Sequence, residues 1–188
     1  MKKSVVFCIT GAPSNFEKVL PVIETLAERF EVIPVMSSSA AAPNRFCDIE
    51  KFIARVRELT RHNIIHTLQG AELLSQNKDI VASLVAPATG TTVAKIANAI
   101  NDTPVCLAVK ALLRNSIPCV IGISSNDCLS GNAENIGKLL NRKNIYFVPF
   151  AQDNPLEKPF SCVCDFNLIE KTLESALIGK QIQPIIYH

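Results

Sequence analysis

The sequence predicts an α/β fold: a Rossmann-type three-layer sandwich with a parallel, doubly wound sheet covered by helices on both faces. Three observations carry that expectation. Short apolar runs alternate with segments of helical spacing along the chain. Several of those runs are nearly all apolar, as strands buried on both faces are. Small polar turns follow the runs, at the carboxyl ends of strands, where such sheets bind ligands.

The elements follow in order. Val5–Thr10 reads as a strand stopped by Gly11-Ala12-Pro13, and Ser14 or Asn15 can cap a helix reaching about Arg29 with Val19, Leu20, Ile23 and Leu26 on one face. Phe30–Val35 is a second strand, followed directly by Ser37-Ser38-Ser39. Arg45–Leu59 has helical spacing through Phe46, Ile49, Phe52, Ile53 and Val56. Asn63–His66 reads as a short third strand and Asp79–Ala86 as a fourth. Helices over Thr91–Ala99 and Val105–Leu113 are separated near Pro104, which restricts the residue before it. Cys119–Ile123 is a fifth strand, Asn132–Leu140 a helix and Ile145–Val148 a sixth strand. A proline-bearing loop, Gln152–Pro159, precedes a last helix over about Asn167–Leu177. No repeat, low-complexity tract or linker divides the chain, so one domain over residues 1–188 is expected.

Composition narrows the function classes. The chain has 188 residues, enough for one full core. Its 48% hydrophobic content and mean hydropathy of +0.23 fit either a sheet buried on both faces or surface buried between subunits. A net charge of +2, with no Lys/Arg stripe among aromatics, argues against a nucleic-acid partner. No apolar run approaches the roughly 20 residues that span a bilayer, and Met1-Lys2-Lys3-Ser4 leads into too short an apolar run for a secretion signal. A cytoplasmic protein with reduced thiols is expected, since its seven cysteines are odd in number and several fall in core strands. Cys162-Val163-Cys164 has the wrong spacing for a redox CxxC, and no second pair completes a metal set.

The loops after the strands hold the candidate site. Thr10-Gly11-Ala12-Pro13-Ser14 is neither a dinucleotide fingerprint nor a P-loop, but it places small residues and a hydroxyl at a helix start, where free N–H groups favour phosphate. An ordinary tight turn with a Ser cap fits it equally well. Ser37-Ser38-Ser39 adds hydroxyl donors without charge, or is a plain flexible loop. Together the two loops suit a singly phosphorylated cofactor better than a triphosphate, which brings Lys and metal ligands. In Pro87-Ala88-Thr89-Gly90-Thr91-Thr92, every residue after the proline is small enough for a flat ligand to approach the backbone.

Pro87–Thr92, followed by Lys95-Ile96-Ala97-Asn98 and Asn101-Asp102, resembles the PASANT-type segment of the homo-oligomeric flavin-containing cysteine decarboxylase family. The likeness to one branch of that family extends through residues 90–115, Ser124-Ser125-Asn126-Asp127, residues 141–159 and residues 179–187, and so covers nearly the whole chain. The resemblance implies a flavodoxin-like flavoprotein that binds FMN or FAD near the interface between protomers, assembled as trimers or dodecamers. It implies phosphate contacts from Gly11, Ala12, Ser14 and Ser37. It also implies a flavin or substrate wall from Pro87, Ala88, Thr89, Gly90, Thr91 and Thr92, with Ser124 and Asn126 on the substrate-side loop. In that branch the protein works beside a separate NAD(P)-binding partner in oxidising a small dicarboxylate.

The sequence departs from the decarboxylases at their active-site His, whose position falls near Ala71-Glu72-Leu73-Leu74. No general base of that kind is expected, and decarboxylation is not carried over. His66 reads as an ordinary strand-end residue and Glu72 as a solvated helix-start acid. Lys110 and Arg114, four apart on one helix face, are cations of the sort a dicarboxylate needs, or simply solvated charges; Arg142 and Lys143 have the weaker claim. Ile145–Phe150 brings two Phe and one Tyr that cover a flavin, a neighbouring protomer or only the core.

Overall fold

The computed structural model describes residues 2–187; Met1 and His188 lie outside the described residues. Five parallel strands form the main sheet: β1 (Ser4–Ile9), β2 (Glu31–Met36), β3 (Ile80–Ala88), β4 (Cys119–Ser125) and β5 (Ile145–Phe147). They run in the order β2-β1-β3-β4-β5, the flavodoxin-like order. Every residue of β1 is buried, as is every residue of β4, because helices cover both faces.

Helices α1 (Phe16–Arg29) and α8 (Ile169–Leu177) pack on one face, with α3 (Ile49–Thr60) against α1. On the other face lie α5 (Gly90–Ala97), α6 (Pro104–Leu113) and α7 (Ala133–Leu140), with the short α4 (Leu68–Leu73) against α6. Phe16 and Phe52 stack between α1 and α3 with ring centroids 4.4 Å apart. Their burial follows from the apolar stripe of α1 (Phe16, Val19, Ile23, Leu26), spaced at helical period.

Four sequence expectations change. Asn63–His66 is not a full strand: Ile65 makes one parallel bridge to Val35 at the edge of β2. The sheet is not wholly parallel either. Phe150–Gln152 (β6) and Cys162–Cys164 (β7) form an antiparallel pair, and β7 adds antiparallel to the last residues of β4. Three-residue strands separated by Asp153–Ser161 carry too little periodicity to read in advance. Finally, the loop after β2 winds into one short helix, α2 (Ser38–Ala41), capped by Ser37, whose Oγ accepts from Ala40 N at 3.2 Å. Helix α3 begins at Ile49 rather than Arg45, because Asp48 caps it through Lys51 N.

Candidate functional site

β1 and β3 are neighbours, and the chains leaving them turn to opposite faces of the sheet. This is the switch point at which a doubly wound sheet opens a crevice beyond its carboxyl ends. One buried hydroxyl closes the two loops onto each other. Thr10 Oγ1 donates to Pro87 O at 2.6 Å and accepts from Thr89 N at 3.0 Å. Thr89 Oγ1 and Thr92 Oγ1 continue the chain of hydroxyls, 3.0 Å apart.

Of the residues expected on the phosphate side, Gly11 meets the loop that Ser37 opens. A Cβ added at Gly11 would lie 2.8 Å from Ser39 Oγ, so the loops after β1 and β2 touch where no larger residue fits. Ser37 is buried and its Oγ lies 3.0 Å from Ser39 Oγ. Ser14 is exposed at the start of α1. Helix α1, with the 3-10 turn Pro13–Asn15 that leads into it, has no side-chain cap, and neither does α5. Ser37, Asp48, Thr67 and Thr103 cap α2, α3, α4 and α6, whereas α7 and α8 also begin without a side-chain cap. The two helices that begin at the switch point thus leave their first N–H groups without side-chain acceptors, in the arrangement that accepts an anion.

The other wall is a polar lattice. Asn15 Nδ2 donates to Ser124 Oγ at 2.8 Å inside the protein, tying the start of α1 to the end of β4. Ser125 Oγ donates to Asp127 Oδ1, and Asn132 Nδ2 donates to Asp127 Oδ2 at 2.6 Å. Asn135 Nδ2 donates to Asn132 Oδ1 at 3.0 Å and Asn98 Nδ2 to Asn135 Oδ1 at 2.9 Å. Gly90 sits against this lattice: a Cβ there would come within 2.6 Å of both Asn132 Nδ2 and Ser125 Oγ, and closer still to Asp127 Oδ1. Pro87, Ala88, Gly90 and Thr92 are buried, Thr91 is exposed, and Asn126 is exposed beside Asp127.

All twelve sequence candidates therefore lie on one edge of the sheet. Thr10, Asn15, Asp127 and Asn132 were missed. Each acts through a partner distant in sequence or through a loop bend; the TGAPSN run hints at Thr10 and Asn15 and the SSND run at Asp127, while nothing local marks Asn132. His66 lies on this edge too: it is exposed, one residue past the Ile65–Val35 bridge, with Nδ1 3.1 Å from Ile64 O. His62 is at the opposite edge, 3.0 Å from Glu31 at the start of β2. Burial pushes up the Cys128 thiol of the 124–131 loop, and Cys162 and Asp127 add to the effect, so it is no nucleophile at neutral pH. Among the described residues no group of three His, Cys, Asp or Glu is placed to hold a metal ion. No helix among them is long and apolar enough to cross a membrane.

A family model described as Flavoprotein matches residues 1–174. The chain belongs to the Flavoprotein family. Within that family it is 39% identical over 186 residues to the B subunit of dipicolinate synthase from Bacillus subtilis (strain 168), covering 98% of this chain and 93% of that protein. The crystal structure of the dipicolinate synthase B subunit from Bacillus halodurans superposes with a TM-score of 0.90 at 37% identity, covering 100% of this chain and 99% of that one. The FMN-dependent cysteine decarboxylase SpaF superposes with a TM-score of 0.69 at 18% identity over 94% of this chain and 95% of its own, a likeness of fold.

Proposed function

We propose that this chain serves as the B-type component of a dipicolinate synthase, working with the A-type component of the same enzyme. The reaction oxidises dihydrodipicolinate to dipicolinate, with the hydride passing to NAD(P) on the A-type partner and a proton released. The setting is the cytoplasm of the mother cell of a sporulating bacterium. The observation that carries this reading is the 39% identity to a dipicolinate synthase B subunit, which extends across 98% of the chain.

The switch-point crevice is the proposed flavin site, with FMN as the cofactor. The donor set fits a monophosphate: two helix starts without side-chain caps, surrounding hydroxyls, and no lysine or acidic residue among the twelve candidates. Gly11, Ala12, Ser14 and Ser37 would hold the phosphate side. Pro87, Ala88, Thr89, Gly90, Thr91 and Thr92 would line the ring, with Ser124 and Asn126 toward the substrate. Bound there, a flavin would bring two-electron redox chemistry to the strand ends. The chain's own contribution is positioning. Thr10 locks the loops after β1 and β3 together, and the Asp127 lattice fixes where Gly90 stands. Asp127 has its two oxygens engaged by Ser125 and Asn132, so the site is built to hold and orient. A homo-oligomer, trimer or dodecamer, would complete the site at the strand ends.

The test is purification of the full chain, first by itself and then together with the A-type partner. The expected results are a flavin absorbance spectrum, a stable complex, and NAD(P)H formation from dihydrodipicolinate faster than the A-type partner gives by itself. No complex and no gain in rate would overturn the assignment to dipicolinate synthase. A colourless chain that still accelerates its partner would overturn the flavin assignment and leave a flavin-free structural component. Release of CO₂ from a cysteine substrate by the chain alone would replace both with a stand-alone decarboxylase.

A further inference from the structure

A cavity of about 370 Å³ opens at the end of the sheet opposite the switch point. Its floor is apolar, made by Ile96, Cys106, Val109 and Leu113. Four cationic side chains line it: Lys110 and Arg114 from the end of α6, and Arg142 and Lys143 from the turn between α7 and β5. Arg114 stands five residues before β4 begins and Lys143 two residues before β5 begins, so both lie at the amino ends of their strands. The twelve switch-point candidates lie at the carboxyl ends, and none of them lines this cavity.

Three features separate this cavity from an ordinary solvated face. No acidic side chain lines it. Among the described residues, none of the four cations is in an ion pair. The nearby carboxylate, Asp102, is already held through both oxygens by Lys95 Nζ at 2.8 and 2.9 Å. Like charges four apart on one helix face, as Lys110 and Arg114 are, repel each other. A cleft lined by one sign of charge over an apolar floor concentrates its field on whatever enters. Arg142 is also oriented: its Nη1 donates to Ile96 O at 2.9 Å, which fixes the guanidinium over the end of α5 and leaves its other N–H groups for a ligand. The volume falls in the range of small-molecule sites.

We propose that this cavity binds a small molecule carrying two negative charges on an apolar body, the charges taken by the α6 pair and the Arg142–Lys143 pair and the body resting on Ile96, Val109 and Leu113. The anionic group is carboxylate or phosphate. The site binds rather than reacts, because its only thiol, Cys106, is held protonated by burial.

The experiment is calorimetric titration of the full chain, at low ionic strength, with benzene-1,3-dicarboxylate, phenyl phosphate and benzoate. At least one of the two dianions is expected to bind, at least about tenfold more tightly than benzoate, through its second charge-assisted contact. Saturation by the dicarboxylate alone assigns carboxylate, and by phenyl phosphate alone, phosphate. The double variant Lys110→Gln/Arg114→Gln and the single variant Lys143→Gln are expected to weaken binding about tenfold or more with an unchanged melting temperature. Binding of neither dianion at millimolar concentration, equal binding of benzoate, or undiminished binding by the double variant would each overturn the assignment. The measurement involves neither flavin nor a protein partner, so its outcome is independent of the function proposed above.

Discussion

Replacing Gly90 by alanine sets two physical effects against each other. Gly90 opens helix α5, and alanine in a helix is favoured over glycine by about 1 kcal/mol from propensity alone. The lattice says the opposite. The added Cβ would fall within 2.6 Å of Asn132 Nδ2 and Ser125 Oγ, and nearer to Asp127 Oδ1, so those three groups must part. Overpacking of this kind costs about 1–3 kcal/mol, and disturbing hydrogen bonds to a carboxylate costs about 1.5–3 kcal/mol. After the propensity gain, Gly90→Ala is expected to destabilise by about 3 kcal/mol, or about 6–12 °C in melting temperature for a chain of this size. Urea unfolding of Gly90→Ala, Asp127→Ala and the double variant measures it. With the carboxylate gone, Asn132 and Ser125 are free to rotate, and the alanine should then cost less than about 1 kcal/mol, a coupling of about 2 kcal/mol. A stability within about 0.5 kcal/mol of the parent, or two effects that simply add, would refute the steric account of this position.

Thr10→Val should cost about 1–3 kcal/mol by leaving Pro87 O and Thr89 N unpartnered in a buried place; Thr10→Ser should restore most of it, and flavin absorbance should fall and recover in parallel. Titration of the native chain with a thiol reagent should find Cys47 fast and the other six cysteines slow, because those six are buried, with all seven reacting once the chain is unfolded. Burial pushes the Cys119 and Cys164 thiols up to about 12 from an ordinary 9.0, and Cys8 upward as well. The folded state therefore holds these protons more tightly, so stability is full below pH 9 and lost as pH rises from 9 toward 12. By pH 10.5 Cys119 alone should withdraw about 2 kcal/mol, and melting curves of Cys119→Ala should fall less between pH 8 and 10.5 than those of the parent.

Much of this architecture could be read before any coordinates. The runs Val5–Thr10, Asp79–Ala86 and Cys119–Ile123 are nearly all apolar, and each is a central strand. Burial on both faces leaves such a run no alternative. The switch-point loops were legible for the same reason, since a parallel strand must be followed by a turn and small polar residues mark it. What could not be read depends on partners far away in the chain. The β6–β7 pair has only three residues per strand, and its place beside β4 is set by Ser124–Val163 and Ser125–Cys162 pairing. Thr10 looks like the end of a strand until Pro87 and Thr89 are brought to it. Asp127 reads as a loop acid until Asn132 and Ser125 close on it. The 38–41 helix is a single turn, below the length at which periodicity has meaning.

The borders of the sheet have a consequence for how copies of this chain meet. At one border β2 carries Pro34, which has no N–H to offer, and Ile65 exchanges hydrogen bonds with Pro34 O and Met36 N. At the other border the Gln181 side-chain amide donates to Phe147 O and accepts from Phe147 N, both at 2.7 Å, standing in for the strand that would otherwise pair with β5. Beyond β6, Phe150 N donates to Ile185 O and Tyr187 N to Phe150 O. Among the described residues each margin is thus partly occupied by the chain itself, which shortens the ladder another molecule could extend. Contacts between copies are thereby steered toward the helical faces and strand-end loops, away from continuous sheets running from one molecule into the next.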